Sequence, residues 1–384
     1  MALNYTDYIS HRPTWAEINL NHLAFNLASC KDFIGGGVKY MAVVKADAYG
    51  HGAVECSRRL EAEGIDWLGV ALQEEGVELR QNGITVPILI LGGFWSGQED
   101  TVLDNKLTPV VFRLEQAALF SSASAKRGIA ANIHVKIDTG MGRIGVRFDE
   151  VSEFAEGLKA FRNIKVGGIM SHFAVADNLA ENDFTHLQQS RLDESVDIFK
   201  KNGFDPALVD IANSPGAVAH PGSRGNMVRL GGILYGLGGD VLPQEIVTPE
   251  LKPVLALYTQ IAHIKHIKAG EGLGYGRTFI TQRDSIIATL PIGYHDGYSR
   301  SLSNLGRVIV NGVFAPVAGR ISMDWTIIDV TDVPGVGVGD MVTVIGSNGE
   351  LHIRTEDLSA QLATISYEIT CGINRRVKKR FLGR

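Results

Sequence analysis

The sequence predicts an α/β protein, an N-terminal (β/α)8 TIM-like barrel followed by a mostly-β domain. Three observations carry this. Between about residues 20 and 235, eight short apolar runs alternate with polar stretches of helical spacing. The runs are apolar throughout, as parallel strands covered by helices are. After about Gly239 the alternation stops, and short Val/Ile/Thr-rich runs with turn signals take over. Eight β units in about 215 residues close into a barrel more readily than they spread into an open sheet.

The expected barrel strands are residues 40–44, 67–71, 88–91, 109–112, 133–137, 166–170, 208–211 and 228–234. The clearest helices are 53–63, 73–82, 114–126, 151–161 and 183–201. Pro243, Pro249 and Pro253 punctuate a connector. In the second half, residues 308–314 read as a hairpin turning at Asn311-Gly312. Val333-Pro334-Gly335 and Ser347-Asn348-Gly349 mark further turns. One helix is expected from Thr355 to about Ile369, with Thr355 as its N-cap. Residues 14–20 alternate like a strand and can pair with this half. The domain reading is therefore 20–245 for the barrel and 246–384, together with 1–19, for the β domain.

A formal net charge of −5 with scattered basic residues argues against a general nucleic-acid binder. Cys30, Cys56 and Cys371 are far apart and read as reduced, mostly buried thiols. The first twenty residues hold Asp7, His11, Arg12 and Glu17 and no apolar core, unlike a secretory signal. No run reaches the roughly 18 apolar residues of a membrane helix. These features point to a cytoplasmic protein.

In a (β/α)8 barrel, reactive groups project from the C-terminal ends of different strands. Lys45 ends the first run and enters the turn Ala46-Asp47-Ala48-Tyr49-Gly50-His51-Gly52. A buried strand desolvates such an amine, lowers its pKa and makes it a nucleophile suited to a Schiff base. An isolated lysine of this kind more often just ends a strand. Here the fifth run carries Lys136 and Asp138 before a turn holding Arg143, and the sixth ends at Ser171-His172. The seventh ends at Asn213-Ser214, and the eighth carries Arg229 just before Gly231-Gly232. Taken singly, the histidine reads as structural, Asn-Ser as a helix cap and Gly-Gly as a packing site. Their convergence on one rim favours a site. Loops after strands seven and eight are the usual phosphate site of this fold, and glycines let backbone amides approach closely. A Schiff-base lysine opposite a phosphate site suggests pyridoxal 5′-phosphate (PLP). Gly272-Leu273-Gly274-Tyr275-Gly276 is a weak nucleotide-loop signal, since it opens no helix and has no lysine at Walker spacing. His263 and His266 read as ordinary histidines, and no H-E-x-x-H, C-x-x-C or carboxylate cluster argues for a metal.

Over nearly its whole length the chain resembles alanine racemase, a fold-type III PLP enzyme family. The resemblance rests on residues 43–52, 136–145, 274–279, 291–297 and 319–324. It implies a cytoplasmic homodimer that interconverts L- and D-alanine and supplies D-alanine for peptidoglycan. Lys45 would hold PLP and serve as base on the D face, and Tyr275 would serve the L face. A free phenol has a pKa of about 10, and in the family a histidine and an arginine stand behind it, here His172 and Arg229. Arg229 would also face the pyridine nitrogen and keep it unprotonated, which limits side reactions. Arg143 would meet the PLP phenolic oxygen and the substrate carboxylate, oriented by a carbamylated Lys136. Tyr49, Ser214, Gly231, Gly232 and Tyr367 would hold the phosphate, with Asn213 beside them. Met323 and Tyr294 would meet the substrate. Tyr275, Tyr294 and Met323 would act in the partner subunit's site.

Three positions depart from the commonest family pattern. Asp47 stands for a frequent asparagine, Ser322 for cysteine, and Gly232 for a larger apolar residue. The competing readings are a racemase of serine or of a broader range of amino acids, and a non-catalytic PLP-binding barrel. Such barrels lack a β domain, which counts against the second. A fold-type III decarboxylase would need an active-site cysteine and a Glu-Pro-Gly-Arg motif, and neither is present.

Overall fold

A parallel sheet of eight strands forms the first half of the molecule, whose computed structural model describes residues 12–384. A first strand, β1 (Thr14–Asn19), precedes it. The barrel strands are β2 (Lys39–Val43), β3 (Trp67–Val70), β4 (Ile88–Ile90), β5 (Thr108–Val111) and β6 (Ala131–Asp138). After the short β7 (Val146–Arg147) come β8 (Ile164–Met170), β9 (Leu208–Asp210) and β10 (Met227–Leu230). Their order is β10-β2-β3-β4-β5-β6-β8-β9, with β7 paired to β6. The ladder is open between β9 and β10, where single backbone bonds (Asn226 N to Val209 O, 3.2 Å; Arg229 N to Ala212 O, 3.0 Å) nearly close the ring.

Strand alternation sorts the side chains. On β6, Ile133, Val135 and Ile137 join the large core under the helices, so His134, Lys136 and Asp138 turn inward. Met41, Leu89, Val110, Met170, Leu208 and Met227 form a separate apolar cluster that fills the barrel's interior. The polar residues sit above this layer, toward the C-terminal rim. Helices Ala53–Ala62, Gln73–Gln81, Leu114–Lys126, Val151–Leu158 and Asn182–Lys201 match the expected ones closely. The helix Leu20–Ile34 escaped the sequence reading, although Asn19 caps it by accepting from the backbone N–H groups of Asn21 and His22.

The second half contains β11 (Leu255–Gln260), β12 (His263–Ile267), β13 (Gly272–Leu273), β14 (Phe279–Ile280), β15 (Ser285–Leu290) and β16 (Arg307–Val310). It continues with β17 (Val313–Pro316), β18 (Thr326–Asp329), β19 (Met341–Asn348), β20 (Leu351–Ile353) and β21 (Lys378–Leu382). The main sheet runs β17-β16-β19-β11-β1-β21, so the first strand does complete this domain, pairing with both β11 and β21. The Asn311-Gly312 hairpin forms as expected, as the β16–β17 pair. Residues 1–11, assigned from sequence to the β domain, lie outside the described residues.

Some local expectations need correction. The eighth strand stops at Leu230, because Gly231 leaves extended geometry and residues Gly232–Tyr235 form a 3-10 turn. The helix at 355–369 is two helices, Thr355–Leu362 and Ser366–Cys371, separated where Ala363 adopts φ 53°. The Asp240 carboxylate anchors the restart by accepting from Ser366 N (2.6 Å) and Ser366 Oγ (2.8 Å). Arg354, not Thr355, is the N-cap residue. Cys30 and Cys56 are buried, but Cys371 is exposed. His263 and His266 both lie at the surface. Among the described residues, no helix is long and apolar enough to cross a membrane.

Candidate active site

The chain leaves β2 at Val43 and enters a left-handed turn. Ala46, Asp47, Ala48 and Tyr49 have φ between 52° and 54°. Each non-glycine residue in this region costs about 1–2 kcal/mol, so the turn needs external support. Glu75 Oε1 accepts from Ala46 N (2.7 Å). Asp47 Oδ1 accepts from Ala53 N (2.7 Å), and the same carboxylate pairs with Lys379 of β21. His51 Nδ1 donates to the carbonyls of Ala48 and Tyr49 (2.9 Å each). Gly50 packs so tightly that a Cβ would lie 2.1 Å from Thr370 O. The result aims both Lys45 and Tyr49 into one cavity of about 510 Å³ at the barrel mouth.

Nine of the sequence-predicted residues besides Lys45 line that cavity: Tyr49, Lys136, Arg143, His172, Asn213, Ser214, Arg229, Gly231 and Tyr367. Burial, then the nearby Arg143 charge, lowers the Lys45 pKa. The same effect is stronger at Lys136, where burial and then Arg229 disfavour the ammonium. Among the described residues, no hydrogen bond or ion pair reaches the Lys136 amine. Arg143 rides on a turn that Asp138 holds by accepting from Gly140 N and Gly142 N, both at 3.0 Å. Arg191 Nη1 braces it by donating to Thr139 O (2.9 Å).

Arg229 fills the inner wall. Its Nη2 donates to Ser171 O (2.9 Å), His172 Nδ1 (3.0 Å) and Ile211 O (3.1 Å), and its Nη1 pairs with Asp210. A guanidinium has only donors, so His172 Nδ1 accepts and the ring proton sits on Nε2. Burial, followed by the Arg229 charge, pushes the imidazole well below its ordinary pKa. His172 is therefore neutral near pH 7.

Opposite this wall, Ser214 Oγ accepts from Gly231 N (3.0 Å). Asn213 Oδ1 accepts from Gly216 N (3.0 Å), opening the short helix Ser214–Ala219. The Tyr49 and Tyr367 rings meet edge-on at 5.0 Å. A Cβ on Gly231 would fall 2.7 Å from the Tyr49 hydroxyl, and one on Gly232 would fall 2.1 Å from Tyr367 Cε1. Burial raises both phenol pKa values, so both hydroxyls stay protonated donors.

Tyr275, Tyr294 and Met323 lie elsewhere. They are 70%, 40% and 51% exposed, on the β domain, and none lines the cavity. Tyr294 and Met323 are held together, because Tyr294 N donates to Ser322 O (3.0 Å) and His295 N to Met323 O (3.1 Å). Sequence reasoning missed Asp210, Glu75, Asp240 and Asp296. For Asp210 a signal existed, since it is the one charged residue in the run 208–211 and shares the inward face with Leu208.

Residues 18–238 match the alanine racemase N-terminal domain and residues 254–381 its C-terminal domain. The alanine racemase of Halothermothrix orenii is 42% identical over 371 residues, covering 96% of this chain and 97% of that one. That of Geobacter sulfurreducens is 42% identical over 376 residues, 97% of each. Among solved structures, Clostridium difficile 630 alanine racemase superposes with a TM-score of 0.91 at 38% identity, covering 97% of this chain and 96% of that one. The Bacillus anthracis enzyme with bound L-Ala-P gives 0.90 at 34%, covering 97% and 95%. With both family domains matched in order along one chain, this chain belongs to the alanine racemase family and racemises alanine.

Proposed function

We propose that alanine is racemised on PLP carried by Lys45, by two bases that reach the substrate from opposite faces and from different subunits of a homodimer. The observation that carries this reading is the separation of the two groups in one chain. Lys45 lines the cavity, while Tyr275 stands 70% exposed on the β domain. A second copy supplying Tyr275, Tyr294 and Met323 would complete the site. We take residues 20–245 as the cofactor-binding unit and 246–384, with 1–19, as the unit that reaches across.

The residues present fit PLP. An amine with a lowered pKa stands at one end, and the other offers two neutral phenols and close backbone amides. When bound, PLP supplies an electron sink that acidifies the alanine α-hydrogen. Lys45 would take or return that proton on the D face. Tyr275 of the partner subunit would do so on the L face, with the His172 Nε2–H placed to stabilise its phenolate. Arg229 would donate to the pyridine nitrogen. Arg143 and the Met323 N–H would hold the substrate carboxylate, and Tyr294 would narrow the entrance. Tyr49, Asn213, Ser214, Gly231, Gly232 and Tyr367 would cradle the phosphate. A buried Lys136 amine whose charged form is disfavoured by burial and by the Arg229 and Arg143 charges suits carbamylation, because the carbamate anion would answer both cations.

The Clostridium difficile relative was also solved with cycloserine, and the Bacillus anthracis one with L-Ala-P, which supports an alanine-sized substrate. Ser322 does not favour serine. Its hydroxyl donates to Trp325 O (2.9 Å) and accepts from Trp325 N (3.1 Å), so it is satisfied within its own turn. The setting we infer is the cytoplasm, with D-alanine delivered to peptidoglycan. Steady-state racemisation of a panel of L-amino acids by the PLP-loaded protein tests the function. Serine turned over as fast as alanine would refute the assigned specificity. In Lys45→Ala the visible absorbance of lysine-bound PLP should vanish, and its persistence would remove Lys45 from the role.

A further inference from the structure

We propose that Asp210 is a positioning residue that fixes where the proton sits in the Arg229–His172 pair, and thereby equips the L-face base. This deepens the two-base reading and rests on it. Asp210 and Leu208 occupy one face of β9, and Arg229 and Met227 occupy one face of β10. Leu208 and Met227 both belong to the interior cluster, so the two polar residues point into the barrel directly above it. The pair is deeply buried, with Asp210 0% and Arg229 3% exposed.

The setting explains why a carboxylate is needed. Lys45, Lys136, Arg143 and Arg229 crowd one cavity. Among the described residues, Asp210 is the only carboxylate in an ion pair with any of the four. Burial and the Arg143 charge bring the Arg229 pKa down to about 9. An unpaired buried charge is strongly unfavourable, and a partnered one is tolerated. With Nη1 taken by Asp210, Nη2 remains for His172 Nδ1 and the two carbonyls. A guanidinium locked this way can only donate to Nδ1, which leaves the imidazole proton on Nε2. That N–H is the group the proposed L-face phenolate needs. Asp210 touches no reacting atom and acts through two intermediaries.

The test uses the PLP-loaded enzyme. In Asp210→Asn, α-hydrogen exchange into deuterated water is followed separately from L-alanine and from D-alanine. The expected result is an L-side loss at least about tenfold larger than the D-side loss, smaller than the roughly hundredfold or more that an acid–base group itself contributes, because Asp210 acts only through intermediaries. Asp210→Glu should restore part of the L-side rate. Equal losses on both sides, or none, would overturn the proposal. Nitrogen NMR of the wild type with labelled histidine gives a second readout that needs no variant. His172 should show an unprotonated Nδ1, and a proton found there overturns the proposal even if Asp210→Asn fails to fold. Tyr275→Phe separates the two layers. If it keeps full activity, the two-base reading itself falls. If it loses L-side exchange while Asp210→Asn does not, only the role of Asp210 falls.

Discussion

Gly232 lies directly beneath the ring of Tyr367, where a Cβ would come within 2.1 Å of Cε1 and 2.4 Å of the hydroxyl oxygen. This contact accounts for a glycine here, because a larger side chain would collide with the ring. The ring occupies the space that the larger side chain would take. Gly232→Ala should therefore push Tyr367 aside and weaken the phosphate end of the site. The expected outcome is PLP affinity lower by about tenfold or more, since overpacking typically costs about 1–3 kcal/mol. Titration of cofactor-free protein with PLP measures it. Unchanged affinity would mean that Tyr367 does not help to hold the phosphate.

Shared sites predict complementation between inactive chains. Lys45→Ala and Tyr275→Phe each remove a different base, and racemisation in either direction needs both, so each homodimer should be inactive. Mixed and reassorted, half the dimers combine the two variants. Each such dimer has one site with both bases intact and one with neither. Each such C2 dimer should keep about half of wild-type activity, so the mixture should recover about a quarter. Recovery near zero, with heterodimers confirmed by mass spectrometry, would show that both bases belong to one chain.

The barrel was legible because its strands are apolar and short and its helices are amphipathic. The reactive residues were legible because they fall at strand ends. Asp210 was hidden by the same rule, since it sits inside a run that reads as an ordinary buried strand. Its partner Arg229 lies on the next strand, β10, and only the meeting of β9 and β10 at the barrel's seam brings the two together. The break between Leu362 and Ser366 was hidden for a similar reason. The residue that enforces it, Asp240, is remote in sequence. The left-handed turn at 46–49 has no local glycine at its four positions, and its supports, Glu75 and Lys379, are supplied by other elements. Local propensity reads elements well, but not the long-range polar contacts that bend them.

Acid should destabilise the fold through two buried histidines. His51 and His134 are 0% and 1% exposed, and burial depresses both pKa values to about 4. In the unfolded chain the value is about 6.5. Between these limits the unfolded state binds more protons, so stability is full above about pH 6.5 and drains as pH falls toward 4. The upper bound is about 3 kcal/mol for each histidine. Urea midpoints measured from pH 7.5 to 4 should fall accordingly. The stability gap between wild type and His134→Asn should narrow over that range, and a constant gap would exonerate His134. Lys45 and Lys136 act on the alkaline side. Their depressed pKa values make stability rise with pH as each approaches its unfolded value.

Asp296 should govern substrate binding without touching substrate. It is fully buried, and its two carboxylate oxygens each accept from an Arg12 Nη at 2.6 Å. Oδ2 also accepts from Gly293 N (2.9 Å), and Arg376 Nε lies 3.6 Å from Oδ1. Arg376 in turn donates to Asp324 Oδ1 (2.8 Å), next to Met323. One carboxylate thus ties together the loops that present Tyr294 and Met323. Asp296→Asn leaves the Arg12 charge without its partner, a change that costs about 3–5 kcal/mol when the pair is buried; Arg12 is only part-buried, so the lower end applies. The melting temperature should drop. If Tyr294 and Met323 meet alanine as proposed, KM should rise several-fold while kcat changes little, because neither base has moved. Steady-state kinetics on the folded fraction gives both constants. A fall in kcat at constant KM would place Asp296 with the proton-transfer groups and against the role assigned to its loops.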